Sequence, residues 1–516
     1  MDRILILDFG GQTTQLIGRR IRDFEVYSEI APGDCDIKGL IDGDVKGIIL
    51  SGSPDSAWTV EAPTPDATLL DCGLPVLGIC YGFHQLVLKD GGEVRALAHR
   101  EYGRTPVSVL LEDPLFDGLP GEFMSWMSHG DSVLRLGGGY EKIGISRNGA
   151  VAAARSRNRQ FWGVQFHPEV SHCEYGLKLL ENFVCGICRA GREWSLENFA
   201  ERERLKLQER VGDRNVLLLV SGGVDSTVAA ALLLKSFRAD RVWLMYIDTG
   251  LMRKDESEEV EGILRSLGAR NILLVDARER FLERLAGVAD PEEKRQVIGD
   301  VFIEVQSREA QRRLPQDYYL AQGTLYTDVI ESGGGVGDKA HVIKSHHNVG
   351  APLVQAKRRA GELLEPLASL YKDEVRKLGS ILGMGDDAIS RHPFPGPGLA
   401  VRILSDVTEE KLRMLREADD IYTSELKNRG LYNRVWQAFC VLLPLRSVGV
   451  AGDAREYGYV LALRAVLSED GMSADVFDFP MGDLLEIATK ITNTVRGVGR
   501  VVYDVSSKPP ATIEWE

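Results

Sequence analysis

Residues 217–231 read LLLVSGGVDSTVAAA, an apolar run that turns through Ser-Gly-Gly and re-emerges as a small-residue helix. Such a segment hands a strand to a helix N-terminus, where free backbone N–H groups and the helix dipole favour an anion. The widespread nucleotide loop GxxxxGK[ST] places a lysine on the β- and γ-phosphates. This loop has no lysine and carries an acid, Asp225, instead. Phosphates beside that carboxylate would repel it unless a cation intervened, so Asp225 implies Mg²⁺ in the same place.

The loop sits inside a repeating pattern. At 516 residues the chain is too long for one core, and two to four domains are expected. From residue 1 to 190 the runs RILILDF, GIILSGS, VLGICYG and FWGVQFHPEV alternate with helical stretches such as TTQLIGRRIRDF. That alternation predicts a largely parallel sheet covered on both faces. WSLENFAERERLKLQERVG reads as a charged connecting helix with Ser195 as its N-cap. A second alternating series, NVLLLVSGG, RVWLMYIDTG, ARNILLVDA and QDYYLAQGT, predicts another doubly wound sheet over 191–391, including a long helix at PEEKRQVIGDVFIEVQSREAQRR. The glycine-, lysine- and histidine-rich interval 331–361 reads as a functional loop. RHPFPGPGLAVR marks a boundary, and 392–516 mixes a helix with strand-like runs, an α+β pattern. The fold class expected is therefore α/β, two doubly wound domains followed by a smaller α+β domain.

Composition narrows the partners. A net charge of −14 and a pI near 5.3 argue against a nucleic-acid or membrane-surface binder, which would carry a basic stripe. The N-terminus MDRILILDFGG enters a strand at once without a secretory pattern, and no apolar stretch approaches a membrane span. Seven scattered cysteines suit a reducing cytoplasm.

One of them stands apart. LPVLGICYGFHQL puts Cys80 where a strand ends and a helix begins, between Gly78 and Gly82. A thiol on so sharp a turn is exposed to substrate and sits by a helix N-terminus, which favours thiolate. FWGVQFHPEV supplies His167 and Glu169, which share a face if the segment is a strand. Nucleophile, base and orienting acid together predict acyl transfer. Cys185 and Cys188 form a CxxC, but the surrounding residues read as one amphipathic helix with both cysteines late in it. A redox pair belongs at a helix N-terminus, so these two are expected to pack.

DFGGQTTQL, ILSGSP, GICYG, WMSHGD and GVQFHPEV, in that order, resemble a class I glutamine amidotransferase. The resemblance implies Cys80 as nucleophile on the glutamine amide, His167 as base, Glu169 as orienting acid, and the N–H groups of Gly52 and Tyr81 as the oxyanion hole. One position departs from the pattern: four residues after the nucleophile, where that family usually has a substrate-contacting Gln, stands His84. SGGVDST resembles the loop of the N-type ATP pyrophosphatases. By that likeness Ser221, Gly222, Gly223, Val224, Asp225, Ser226 and Thr227 cradle the β- and γ-phosphates and release them together as pyrophosphate.

LAQGTLYTDVIES, HVIKSHHNVG, RHPFPGPGLAVR, LRSVGVAGDAREY and SSKPPATIEWE extend the likeness to the glutamine-hydrolysing GMP synthase family over essentially the whole chain. That family's reaction takes XMP, ATP and glutamine to GMP, AMP, pyrophosphate and glutamate through an adenylated purine oxygen. It implies XMP contacts at Arg295, Gln437, Lys508 and Glu514, Lys344 on a lid, and a homodimer through the C-terminal domain. Other readings stay open on the residues alone. Another glutamine-dependent adenylating ligase, such as one amidating a nicotinate nucleotide, shares both halves, and a tRNA-modifying enzyme shares the phosphate loop.

Overall fold

The computed structural model describes residues 1–516 apart from 315–316, 330–351, 452–453 and 469–472. The described residues pack as two units, one over 1–199 with 327–329 and the other over 200–326 with 352–516. The division falls inside the predicted connecting helix, Leu196–Val211, where Ser195 Oγ accepts the Asn198 N–H at 3.1 Å.

The first unit is built on one sheet. Its strands are β1 (Arg3–Asp8), β2 (Tyr27–Pro32), β3 (Val45–Leu50), β4 (Val76–Ile79), β5 (Glu93–Val109), β6 (Glu122–Arg135), β7 (Tyr140–Ser146), β8 (Val151–Ser156) and β9 (Phe161–Val164). Among the described residues their order is β2-β1-β3-β4-β9-β8-β7-β5-β6. The β2-β1-β3-β4-β9 half is parallel, and every pairing beyond β9 is antiparallel. That second half is where the structure differs from a plain α/β expectation. β5 to β9 follow one another without a covering helix between them, so neighbouring strands reverse direction.

Side-chain alternation then buries both faces of the parallel half. Ile4, Ile6 and Ile49 enter one core, and Leu5, Leu7, Ile48 and Leu50 the other.

The second unit holds β10 (Asn215–Leu219), β11 (Val242–Asp248), β12 (Asn271–Asp276), β13 (Tyr318–Ala321) and β14 (Leu363–Leu364) in the order β12-β11-β10-β13-β14. All its pairings are parallel. Strand order reverses between β10 and β13, and the crevice at such a switch point is where open α/β sheets bind ligands. The expected long helix runs Pro291–Arg313, capped by Asp290 accepting from Glu292 and Glu293 N–H groups.

A further sheet follows in the same unit. β15 (Gln437–Ala451) and β16 (Ala454–Leu467) form a long antiparallel pair, and β16 also pairs with β17 (Asp475–Val476) and, in parallel, with β18 (Val498–Tyr503). Helices Glu409–Asn428 and Met481–Thr494 pack against β15 and β18 respectively. A single core runs from Leu217 and Met245 of the parallel sheet through Leu399 and Ile403 to Cys440 and Leu461. The proline–glycine stretch after Arg391 is packed into this core: a Cβ on Gly398, whose φ is +65°, would lie 2.4 Å from the Leu251 carbonyl oxygen.

Candidate active sites

In the first unit β4 ends at Ile79, Cys80 takes φ +52° and ψ −104°, and the helix Tyr81–Lys89 starts at the next residue. A non-glycine residue in that region is strained, and such strain gathers at functional sites. Both flanking glycines are required by space. A Cβ on Gly78 would lie 2.6 Å from Gly82 C, and one on Gly82 would lie 2.4 Å from Leu50 O. The turn therefore closes only with glycine on either side of the cysteine.

His167 Nδ1 lies 2.7 Å from Glu169 Oε1, with Glu169 buried. The alignment does not come from a shared strand face, because β9 stops at Val164. Instead the chain turns at Pro168, whose carbonyl would be 2.0 Å from a Cβ on Gly176, and His167 N–H donates to Trp126 O at 3.0 Å.

Burial disfavours a charged imidazole, but the Glu169 carboxylate and hydrogen bonds to Cys80 and Glu169 outweigh it and hold His167 well above its ordinary pKa. Gly52 closes the other side, its Cβ position 3.4 Å from His167 Cε1. Among the described residues neither the Gly52 nor the Tyr81 N–H has a backbone acceptor; Tyr81, as the first helical residue, has none within its helix. Two amide donors, a thiol and an imidazole with a buried carboxylate behind it can carry acyl transfer.

The CxxC is structural. Gly176–Glu181 is α-helical and Asn182–Ile187 continues as a π-helix, and burial pushes the Cys188 thiol well up.

In the second unit the phosphate loop leaves β10 and enters the helix Val224–Ser236. Gly222 has φ +81°. Ser226 Oγ accepts the Ser221 N–H at 3.2 Å and donates to Gly223 O at 3.0 Å, and Thr227 Oγ1 donates to Gly223 O at 2.9 Å. The QGT turn after β13 presses onto the loop, with a Cβ on Gly323 falling 3.0 Å from Ser226 N.

Sequence reasoning missed the cations here. Lys372, first residue of the helix Lys372–Ile381, donates to Asp225 Oδ2. Arg391 reaches Gly222 O at 3.4 Å while pairing with Glu259. Neither lies within the loop motif, and their only sequence signal is a basic residue at a helix start and another before a proline run.

The residues expected around XMP divide. Gln437 Nε2 donates to Glu514 Oε1 at 2.9 Å, and the fully buried Arg402, which sequence reasoning also missed, grips Glu514 at 2.8 and 3.1 Å. Lys508 instead lines a cavity of about 720 Å³ with Arg376, Arg434, His392 and Asp475. Arg295 Nε is 3.2 Å from Glu292. Lys344 lies outside the described residues.

The family model described as Glutamine amidotransferase class-I matches residues 5–187, a span that contains the elbow thiol and its imidazole–carboxylate pair at the parallel half of the sheet. A second family model, GMP synthase C terminal domain, matches 424–515.

Three relatives cover the chain nearly end to end, each named GMP synthase [glutamine-hydrolyzing]. That of Thermus thermophilus is 51% identical over 99% of this chain and 100% of its own. That of Aquifex aeolicus is 48% identical over 99% of both, and that of Brachyspira hyodysenteriae 48% over 100% and 99%. The chain belongs to the glutamine-hydrolysing GMP synthase family, and it is an enzyme of glutamine-dependent GMP formation.

Proposed function

We propose that Cys80 hydrolyses glutamine while the 221–227 loop drives adenylation of XMP, so that one chain makes the ammonia and the activated purine that consumes it. The observation that carries this reading is the strained Cys80 elbow, with His167 and Glu169 aligned behind it, in the same chain as a phosphate loop at a sheet switch point. The Cys80 thiolate adds to the glutamine amide carbonyl, the Gly52 and Tyr81 N–H groups receive the oxyanion, and His167 gives its proton to the departing ammonia. Water then cleaves the thioester to glutamate, with His167 as base.

In the second unit XMP O2 attacks the α-phosphorus of ATP and pyrophosphate leaves. Ammonia then adds at C2 and AMP departs, giving GMP. Helix N-terminal amides support retention of the β- and γ-phosphates by the loop, joined by the Ser221 hydroxyl and by those of Ser226 and Thr227, which would turn from Gly223 O to a bound phosphate. Asp225 Oδ1 is buried without a partner among the described residues, which fits a Mg²⁺ ion shared with substrate phosphates. Such an ion would neutralise phosphate charge.

For XMP we propose Arg295, Gln437, Lys508 and Glu514, with Lys344 over the nucleotides and 392–516 as the XMP-binding and dimerising part. The exposed apolar side chains of Leu445, Val448, Val450 and Tyr457 support a homodimer formed through this region. The free cysteines support a cytoplasmic setting.

The test is phosphate accounting with ATP, Mg²⁺, XMP and either glutamine or ammonium. AMP, pyrophosphate and GMP are expected from both nitrogen sources, with Cys80→Ala losing only the glutamine-driven reaction. AMP and pyrophosphate without GMP would overturn XMP as the acceptor.

A further inference from the structure

The helix that begins after Cys80 brings His84 back beside the nucleophile one turn later, where its N–H donates to Cys80 O at 3.1 Å. Its side chain is buried, 3% exposed, and its Nε2 lies 2.7 Å from Gln165 Oε1. Gln165 is 1% exposed, and its Nε2 lies 3.8 Å from Cys80 Sγ. The three side chains form an unbroken line, imidazole to amide to sulfur.

With Gln165 Oε1 turned to it, His84 Nε2 is the donor, since a carboxamide oxygen can only accept. With its oxygen held by His84, Gln165 can present only its NH₂ to the sulfur. Rotating the amide would require the other His84 tautomer and would turn an oxygen lone pair on the thiolate.

We propose that His84 and Gln165 form a positioning pair for the glutaminase nucleophile: His84 locks the orientation of the Gln165 amide, and the Gln165 N–H holds the Cys80 sulfur and favours its thiolate. The proposal rests on Cys80 being that nucleophile. It also explains what His84 does in a place where the resembling family has a substrate-contacting Gln. His84 is turned inward onto Gln165, and the adjacent Gln85 is likewise engaged, donating to Tyr81 Oη at 2.9 Å. Both side chains are engaged within the protein, so these two residues serve the nucleophile and not glutamine binding.

The charged and titratable groups facing the line are His129 and Asp131 toward His84 and His167 toward Cys80. All three are left in place by the variants that test it.

The experiment follows alkylation of Cys80 by iodoacetamide against pH in the full-length protein, read on the Cys80 peptide by mass spectrometry because six other cysteines are also free. Gln165→Glu is nearly isosteric and puts a carboxylate against the sulfur. Its alkylation midpoint is expected to rise by about one pH unit or more, with glutaminase kcat down about tenfold and the glutamine KM within about twofold. His84→Ala, which frees the amide to rotate, is expected to shift the same way. His84→Gln, which keeps a donor for Gln165 Oε1, is expected to restore both readings.

An unchanged midpoint in Gln165→Glu overturns the proposal, as does His84→Gln behaving like His84→Ala. A rise in KM alone would assign these residues to substrate binding and overturn it too. A parental thermal unfolding profile of the first unit reports that each variant is folded, since ammonium-driven synthesis belongs to the second unit. Alkylation reads the thiol whether or not glutamine is its substrate, so loss of this pair is distinguishable from failure of the Cys80 assignment, which Cys80→Ala tests separately.

Discussion

The ammonium of Lys372 rests on the carboxylate of Asp225, 147 residues earlier in the chain. A loop that lacks its own lysine thus borrows one from the start of a later helix, and Arg391 adds a second cation at Gly222. Lys372 neutralises Asp225 Oδ2, and on the proposed reading of the loop the same ammonium would share its charge with bound phosphates.

Lys372→Met should therefore slow adenylation and spare the fold. The Lys372 side chain is 44% exposed, and pairs at that level of exposure contribute little to stability, so the thermal midpoint should stay near that of the parent. Pyrophosphate release with ATP, XMP and ammonium should fall about 10²–10³-fold, the usual cost of removing one preorganised charge donor. Lys372→Arg should recover part of it. Release at the parental rate in Lys372→Met would remove this residue from the reaction.

What the sequence made legible follows a physical division. The Cys80 elbow could be read because its demands are local: two glycines forced by contacts at 2.4–2.6 Å and one strained residue between them leave a compact signature. The long helix 291–313 was readable for the same reason, with Asp290 and Pro291 at its start and basic residues at its end.

Lys372, Arg391 and Arg402 were not legible, since each matters through a partner more than 100 residues away and sits among ordinary polar residues. His167 and Glu169 were found for a reason that the fold does not use. They meet across a proline turn and not on one strand face. The antiparallel half of the first sheet escaped because successive β-runs carry no mark of direction in their sequence.

Acid should weaken the protein in a window set by two buried histidines. His84 in the first unit and His392 in the second are both pushed down to about 4 by burial. A depressed histidine is neutral when folded but takes a proton when unfolded, so its contribution is complete above pH 6.5 and is lost as pH falls toward 4. Each shift corresponds to about 3 kcal/mol at the acid end. Urea midpoints measured from pH 7 to 4.5, above the range of most carboxylates, should fall steadily, with unfolding accompanied by proton uptake. A flat profile in that interval would contradict the burial of both rings.

The alkaline side should answer to Glu169. Burial works against a charged His167, but Glu169 and Cys80 hold its folded pKa well above 6.5. A raised histidine contributes fully below pH 6.5 and loses that contribution as pH rises through the folded value. Glu169→Gln removes the carboxylate charge and lowers the folded value, so the first unit's alkaline loss of stability should be smaller and end at lower pH. Glutaminase kcat should drop about 10²-fold, as general-base function requires an oriented, basic imidazole. Ammonium-driven GMP formation should persist in this variant; its loss would show that the two activities are not separable at this residue.

The C-terminal tail is fastened by three buried cations, and they separate a ligand role from a structural one. Arg464, fully buried, donates to the carbonyls of Ser506, Thr512 and Ile513 at 2.9–3.0 Å. Arg402 grips Glu514, and Lys294 Nζ meets Glu516 at 2.7 Å. Both Arg402 and Lys294 are 0% exposed, so neutralising either partner leaves a buried charge poorly compensated, a loss of about 3 kcal/mol or more.

The carboxylates differ in access: the Glu514 side chain is 21% exposed and touches Gln437, whereas that of Glu516 is 7% exposed and faces inward. Glu514→Gln should therefore lower the unfolding midpoint and raise the XMP KM at least tenfold, about 1.4 kcal/mol of lost binding. Glu516→Gln should lower the midpoint and leave the XMP KM within about twofold, since its hydrogen bond is to Lys294 and it acts on Arg295 only through charge. Equal KM changes in the two variants would mean that the tail acts on XMP only by holding the fold together.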